Sequence, residues 1–496
     1  MSHYIQAELL EPGLVPTANL MTLSGREKST DNARFFAAKI SQKAVGQLIQ
    51  DGYTAMQSHL LLPVNLKPFL QADMLCTKAA IIQIDALEKQ VIHWLAVGYS
   101  AATIIIGKGY ETKFQCIDIT QKVVTIAKKY NFPIAIELHR ASITQNIHNT
   151  LAIVQACPEV CFNADFSHYI LAYCLLDLSE AERQNFIRLI DPILARVIFF
   201  HCRFATNTEI QTPLIDNRKD EKSVSSISDS SRARTLYFDL LDRVFQHFKA
   251  QADTGEGLFI APEILPPFTG YTSMKRTVFG HKEKLDRYQE SNYFIQSTQQ
   301  LFNRINGLNV LYEHSSSNCH TKPKVLTIDT QSQLIKIKHL AAFEYINHLQ
   351  LHKKIIRVEL GSQLNSAKEN AALIEQFILL QEKDSRFLLE TARNTVTHSF
   401  YETLEILTAN PSLKLSLNAK EWVLAFEIRI DALPTFHKQI QQLMPAVLWL
   451  VKEYATAEYQ YTPMRYGPWV YLPVNGRSIS VMIESIYSIY WKWLFK

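Results

Sequence analysis

The stretch Glu137–His168, ELHRASITQNIHNTLAIVQACPEVCFNADFSH, decides how the chain is read. Pro133–Glu137 (PIAIE) is a short apolar run that ends in a carboxylate. Ile143, Ile147, Leu151 and Val154 then recur at spacings of four, four and three, which predicts a helix over Ile143–Gln155. Pro158 stops it, and Val160–Phe162 begins a second apolar run that leads into Asp165 and His168. Carboxylate and imidazole gather where strands finish, the edge on which α/β barrels build active sites. A Glu at one strand end and Asp-x-x-His at the next can supply oxygen and imidazole to one divalent ion.

Outward from that stretch, strand and helix keep alternating. Helical spacing runs from Arg34 to Gln50 and closes at Gly52, and Tyr53–Leu62 reads as a strand. A helix over Ala86–Val97, a strand Ala102–Ile106 and a helix over 118–129 precede the central stretch. Between them Gly107-Lys108-Gly109 has the backbone freedom of a turn or of a close approach to a ligand. After it come a helix over 179–192, a strand Val197–Phe200 leading into His201-Cys202-Arg203, a helix over 236–250, and an apolar run Gly257–Ala261 ending in Pro262-Glu263. Residues 1–32 read as irregular, with Pro12, Gly13 and Pro16 as breakers, and the Ser-rich, polar 216–234 reads as a surface loop. The alternation predicts a parallel α/β fold closed as a barrel.

The second half repeats the first. An offset of 253 carries Glu137 onto Glu390, Arg140 onto Arg393, Thr144 onto Thr397 and Pro158 onto Pro411. An offset of 255 carries Gly52 onto Gly307 and His59 onto His314, and one of 250 carries Ala205-Thr206 onto Ala455-Thr456. Two tandem TIM-type (β/α) barrels are therefore expected, residues 1–275 with the candidate site and residues 276–496 as a degenerate copy. The copies differ where chemistry would be: Asp165 becomes Asn418, His168 becomes Glu421, His201 becomes Val451, and Glu263 falls near Val474.

At 496 residues two domains are expected, and 47% hydrophobic with 20% charged residues is a globular composition. The net charge of +4 gives no reason to invoke nucleic acid or an anionic membrane. No apolar run is long enough to span a bilayer, the N-terminus lacks a signal-peptide pattern, and seven scattered cysteines read as free thiols, so a cytoplasmic protein is expected.

Four strand ends thus carry Glu137, Asp165 with His168, His201 with Arg203, and Glu263. Three carboxylates and one imidazole suit one divalent ion, and a dication would relieve their mutual repulsion. The motifs ELHR, DFSH, HCR and PEILPP, in that order over about residues 35–270, resemble the xylose isomerase-like TIM barrels, above all the bacterial sugar phosphate isomerase/epimerase type. That resemblance implies one ion (Mn, Mg, Co or Zn) on Glu137, Asp165, His201 and Glu263. It implies substrate contacts from His168 and Arg203, with His139 and Arg140 beside them. The chemistry that fits is proton movement next to a carbonyl of a small carbohydrate-like substrate, with Glu137 and Glu263 as base and acid and His168 next in line. The alternatives are a binding or scaffold protein with a relic site and a related metal-dependent dehydratase. A three-zinc phosphodiesterase of the apurinic endonuclease branch would need more histidines. A homodimer is compatible with the sequence.

Overall fold

The computed structural model describes residues 13–23, 42–59, 64–212, 224–250, 257–266, 274–277, 280–283, 286–305, 326–329, 334–346 and 355–418, with 421, 439, 442–443, 446–450 and 472–473. The chain falls into two compact units, residues 1–171 with 175–314 and residues 172–174 with 315–496.

The first unit is a closed barrel of eight parallel strands. They are β1 (Leu14–Asn19), β2 (Ala55–His59), β3 (Leu75–Ile82), β4 (Ala101–Ile106), β5 (Ile134–Glu137), β6 (Cys161–Ala164), β7 (Val197–Cys202) and β8 (Leu258–Pro262). Closure is made by β8 pairing with β1, Leu14 beside Leu258 and Pro16 beside Ile260. Helices begin where the sequence offers a cap. Thr112 and Ser179 each form a reciprocal capping box, with Gln115 and Glu182, at the heads of helices Lys113–Tyr130 and Glu180–Leu194. Gly98, at φ 102°, ends helix Ile84–Val97. Helix Arg287–Ile305 belongs to this unit, which therefore continues beyond residue 275. Arg287 donates to the carbonyls of Met21 and Thr22 (3.1 and 2.6 Å), and Tyr53 meets Ser291 at 2.7 Å.

Three readings of the sequence need correction. Residues 14–19 are not irregular but the first barrel strand, and Leu20–Leu23 is a helical turn. The Ser-rich segment is helical from Val224 onward, in a continuous helix Val224–Ala250; residues 216–223 lie outside the described residues. The central helix starts at Ile147 rather than Ile143, because Asn146 caps it by accepting from the Asn149 amide (3.1 Å). Ile143 instead sits in the preceding turn, its amide bonded to the Ile106 carbonyl (3.0 Å).

Alternation along the strands puts Ala101 on one face with Thr103, Ala135 with Glu137, and Phe199 with His201. The residues one step below the candidate site form a packed cluster of Ala101, Ala135 and Phe199, with Phe259 against it. Phe199 and Phe259 stack at 4.3 Å, large rings set against two alanines. This plug is the floor on which the polar layer stands.

A two-stranded hairpin, β9 (Met274–Thr277) and β10 (Gly280–Glu283), follows the barrel. The second unit holds an open seven-stranded sheet in chain order: β11 (Leu326–Asp329), β12 (Leu334–Ile337), β13 (Ile356–Leu360), β14 (Phe387–Glu390), β15 (Leu415–Leu417), β16 (Val447–Leu450) and β17 (Leu472–Pro473). The pairs from β12 to β16 are parallel, and the two terminal pairs are antiparallel. No closure of this sheet is seen among the described residues.

Its central part reproduces the first unit in detail. Strand β14 and helix Phe400–Ala409 lie 253 residues after β5 and helix Ile147–Ala156. Thr144 Oγ1 donates to the Glu137 carbonyl (2.5 Å), and Thr397 Oγ1 does the same to Glu390 (2.7 Å). Ala141 and Asn394, again 253 apart, both take positive φ, 56° and 53°. Gly107 and Gly361 share φ of 79° and 71°, and a Cβ on either would strike Ile143 or Val396 in the turn after the next strand.

Truncating the plug tests the packing scheme. Phe199→Ala is expected to destabilise the first unit by about 3–5 kcal/mol, read as a lowered urea midpoint with unchanged slope. A loss under about 1 kcal/mol would place the core elsewhere.

Candidate metal centre

The strand ends bring together the four residues singled out by the sequence. One ligating atom each from Glu137, Asp165, His201 and Glu263 lies within 4.8 Å of the others, and all four residues are buried. Glu137 closes β5, Asp165 and Glu263 follow β6 and β8 directly, and His201 sits inside β7.

Gln57 on β2, which motif reading did not single out, determines how His201 presents itself. Gln57 Oε1 lies 3.0 Å from His201 Nε2 and also accepts from Asn19 Nδ2 (2.8 Å), while Gln57 Nε2 donates to Thr103 Oγ1 (3.3 Å). With the amide held that way round, Nε2 is the protonated nitrogen that meets Gln57, so Nδ1 is the nitrogen that faces the carboxylates. Nδ1 lies 3.5 Å from Glu137 Oε2 and from Glu263 Oε2. A buried lone pair directed at two carboxylate oxygens is unfavourable without a proton or a cation between them. The residues therefore fit a divalent ion held by three carboxylates and one imidazole. The only sequence signal for Gln57 is its period-two spacing from His59.

Each carboxylate is braced from outside the cluster. Asn163 Nδ2 donates to Glu137 Oε2 (3.0 Å). Asp165 accepts from the Ser167 amide (3.1 Å), the Ser167 hydroxyl and Arg203 Nη2. Arg203 Nη1 lies 3.5 Å from Glu263 Oε2. Burial pushes Glu137 up to about 8, only partly offset by His201. Burial would raise Glu263 too, but His201 and Arg203 pull it down to about 2. For His201 burial acts downward, and the charges of Glu263 and Glu137 outweigh it, raising the imidazole to about 9.

His168 is fully buried between two guanidinium groups. Arg140 Nε donates to its Nδ1 (3.2 Å), and Arg203 Nη2 lies 3.1 Å from its Nε2. Burial first, then His139 and Arg203, hold it neutral, well below the usual imidazole range. His139 packs on it with ring centroids 3.8 Å apart and turns its Nδ1 to the Arg140 carbonyl. Glu137, His139 and His168 thus form a second convergent set, but both His168 nitrogens face guanidinium donors, a poor place for another cation. The sequence-predicted contacts His139, Arg140, His168 and Arg203 therefore form one layer beside the cluster. In the Gly107–Gly109 turn, the amides of Lys108 and Gly109 are both taken by the Glu111 carboxylate (2.8 Å each).

These features define the class: a parallel eight-stranded α/β barrel with a carboxylate–imidazole cluster at the carboxyl ends of its strands. No protein-family model matches the chain, and no curated protein sequence matches it. Solved structures that overlap it include a xylose isomerase-like TIM barrel protein from Mycobacterium smegmatis in complex with magnesium, at 9% identity and a TM-score of 0.34, over 59% of this chain and 98% of that one. A sugar phosphate isomerase/epimerase from Parabacteroides distasonis overlaps at 9% identity and 0.35, over 60% and 97%. The 3-keto-D-glucoside 4-epimerase of E. coli overlaps at 9% and 0.34, over 58% and 99%. The barrel assignment rests on the strand pairing itself. Among the described residues no helix is long and apolar enough to cross a membrane.

The protonation pattern gives a signed prediction. Burial pushes the Glu137 carboxyl up, and the charges of Glu263 and Glu137 push the His201 imidazole up against the effect of burial, so both hold a proton more tightly than usual in the metal-free protein. An ion needs both lone pairs, so Mn²⁺ should bind more tightly as pH rises from about 6 to 9, by up to ~10-fold per pH unit for each proton released. Calorimetric titrations in buffers of different ionisation enthalpy should show proton release of up to about two per ion. Affinity that is flat with pH and free of proton release would contradict this electrostatic picture.

Proposed function

We propose that the first unit is a metal-dependent isomerase or epimerase that moves a proton next to a carbonyl in a sugar or sugar phosphate. The observation that carries the reading is the convergence of one ligating atom each from buried Glu137, Asp165, His201 and Glu263 within 4.8 Å of one another. Glu137, Asp165, His201 and Glu263 are the proposed ligands. A bound divalent ion would polarise the substrate carbonyl as a Lewis acid.

The chain's own residues would do the rest. Glu137 and Glu263 flank His201 and differ in their hold on a proton, the one raised and the other lowered. With an ion bound both would be ionised, and either could take the substrate proton and return it. Arg203 holds Asp165 and reaches Glu263, so its guanidinium can bind a substrate oxygen only at their edge. Neutral His168, with Arg140 on one nitrogen and Arg203 at the other, would position these two guanidinium groups beside the substrate. His139 stacks on His168 beside the cluster.

We further propose that the second half is a duplicated, degenerate copy that holds no ion. Its support is the matched strand, turn and helix geometry around Glu390, together with the loss of charge-matched ligands. Arg357, in the register position corresponding to Thr103, donates to Glu390 (2.7 Å), and Ser416 and Asn418 complete its hydrogen bonds (2.7 and 3.1 Å). A fixed guanidinium thus neutralises the surviving carboxylate.

Two experiments test this. Deuterium exchange from solvent into the carbon beside the carbonyl, across ketoses and keto acids, should fall by on the order of 10²-fold in Glu263→Gln while metal occupancy falls far less. Asp165→Asn should lose the ion first. Exchange at the parent rate in Glu263→Gln would assign the proton to another group, and no exchange in the parent would favour a binding protein. Elemental analysis should return about one ion per chain, unchanged in Glu390→Gln. Two ions, one of them lost in that variant, would refute the degenerate second copy.

A further inference from the structure

A groove in the first unit, lined by residues outside the carboxylate cluster, carries an ammonium that meets no carboxylate among the described residues. It has a volume of about 920 Å³, and neither aspartate nor glutamate lines it. Part of its wall is apolar, with Trp94 and Leu66 buried and Leu70 and Val97 at 43% and 40% exposure. Leu70 is held there because Gly98 leaves room for it: a Cβ on Gly98 would come within 2.9 Å of its methyl.

Lys78, on β3, is half-buried at this groove. Its Nζ donates to Ser58 Oγ (3.3 Å) and to the His59 carbonyl (3.1 Å), and lies 5.7 Å from the centre of the Tyr99 ring. Every one of these partners is neutral. Lysines withdrawn from water are ordinarily paired with an acid. Burial lowers the Lys78 ammonium to about 8, as expected where no carboxylate offsets it. Lys67, His93 and the amides of Asn65, Gln71 and Gln90 add donors to the lining without adding an acid.

We propose that this groove binds a small amphiphilic carboxylate, with its acid group on Lys78 and its apolar body along Trp94, Leu66 and Leu70. The volume lies within the range of small-molecule sites. Charge complementarity favours an anion, and the length of apolar wall favours a chain or ring over a bare inorganic ion.

The test uses octanoate as the probe on the full chain, followed by calorimetry, with 1-octanol as the uncharged control. Octanoate should bind at one site and 1-octanol at least about tenfold more weakly, the scale of one charge-assisted hydrogen bond. Lys78→Met should lose octanoate affinity by a similar factor, and Lys78→Arg should retain most of it. Should Lys78→Met fail to fold, as judged by thermal unfolding, Lys78→Arg and the octanol comparison decide. Octanoate should also slow trinitrobenzenesulfonate labelling of Lys78. Equal binding of acid and alcohol, unchanged affinity in Lys78→Met, or no saturable binding at millimolar octanoate would overturn the proposal.

Discussion

Three carboxylates and one imidazole share a buried space, and the first unit is arranged around their repulsion. Glu137, Asp165 and Glu263 bring three negative charges to a place where water cannot screen them. Arg203 answers part of this by gripping Asp165 and reaching Glu263. What remains falls on His201, whose Nδ1 looks at Glu137 and Glu263 from 3.5 Å. The protein can settle that remainder by taking up protons: burial pushes Glu137 upward, and the neighbouring carboxylates push His201 upward against burial. It can also settle it with a dication. Protons and the proposed dication would compete for the same atoms, so the affinity for one would set the affinity for the other.

The barrel makes this arrangement affordable to assemble because each charged group stands at the end of a strand whose interior is apolar. The Phe199–Phe259 stack fills the layer beneath, and the Asn19–Gln57–Thr103 amide and hydroxyl chain fixes the imidazole from the side. The second unit solves the same problem differently. There the strand-end carboxylate Glu390 meets an arginine that cannot leave, and two neutral donors finish its shell. Lys336 with Glu359 and Arg393 with Glu421 repeat the pattern of built-in pairs. In the second unit the charge that answers each carboxylate is covalently anchored in the chain.

Much of this was legible in the sequence, for physical reasons. Ionisable residues after short apolar runs are rare enough to be noticed, so Glu137, Asp165, His201 and Glu263 stood out and converge as expected. Gln57 did not, since a neutral amide within a strand carries no signal of what it orients. Strand β1 was hidden by Pro16, which pairs with Ile260 and accepts from the Thr54 amide through its carbonyl, needing no N–H of its own. Strand β3 was hidden by Thr77 and Lys78, which interrupt its apolar run. The Ser-rich segment read as a loop from composition alone. Its helix continues into a stretch that buries Leu236, Leu240 and Val244, and extending a packed helix costs far less than nucleating one.

The central claim, that His201 and the three carboxylates hold one divalent ion, is tested most directly by pulsed electron paramagnetic resonance of the Mn²⁺-loaded protein. The account predicts nitrogen coupling from a single imidazole, absent in His201→Gln. A manganese signal with no nitrogen coupling, or one whose coupling survives His201→Gln, would contradict it.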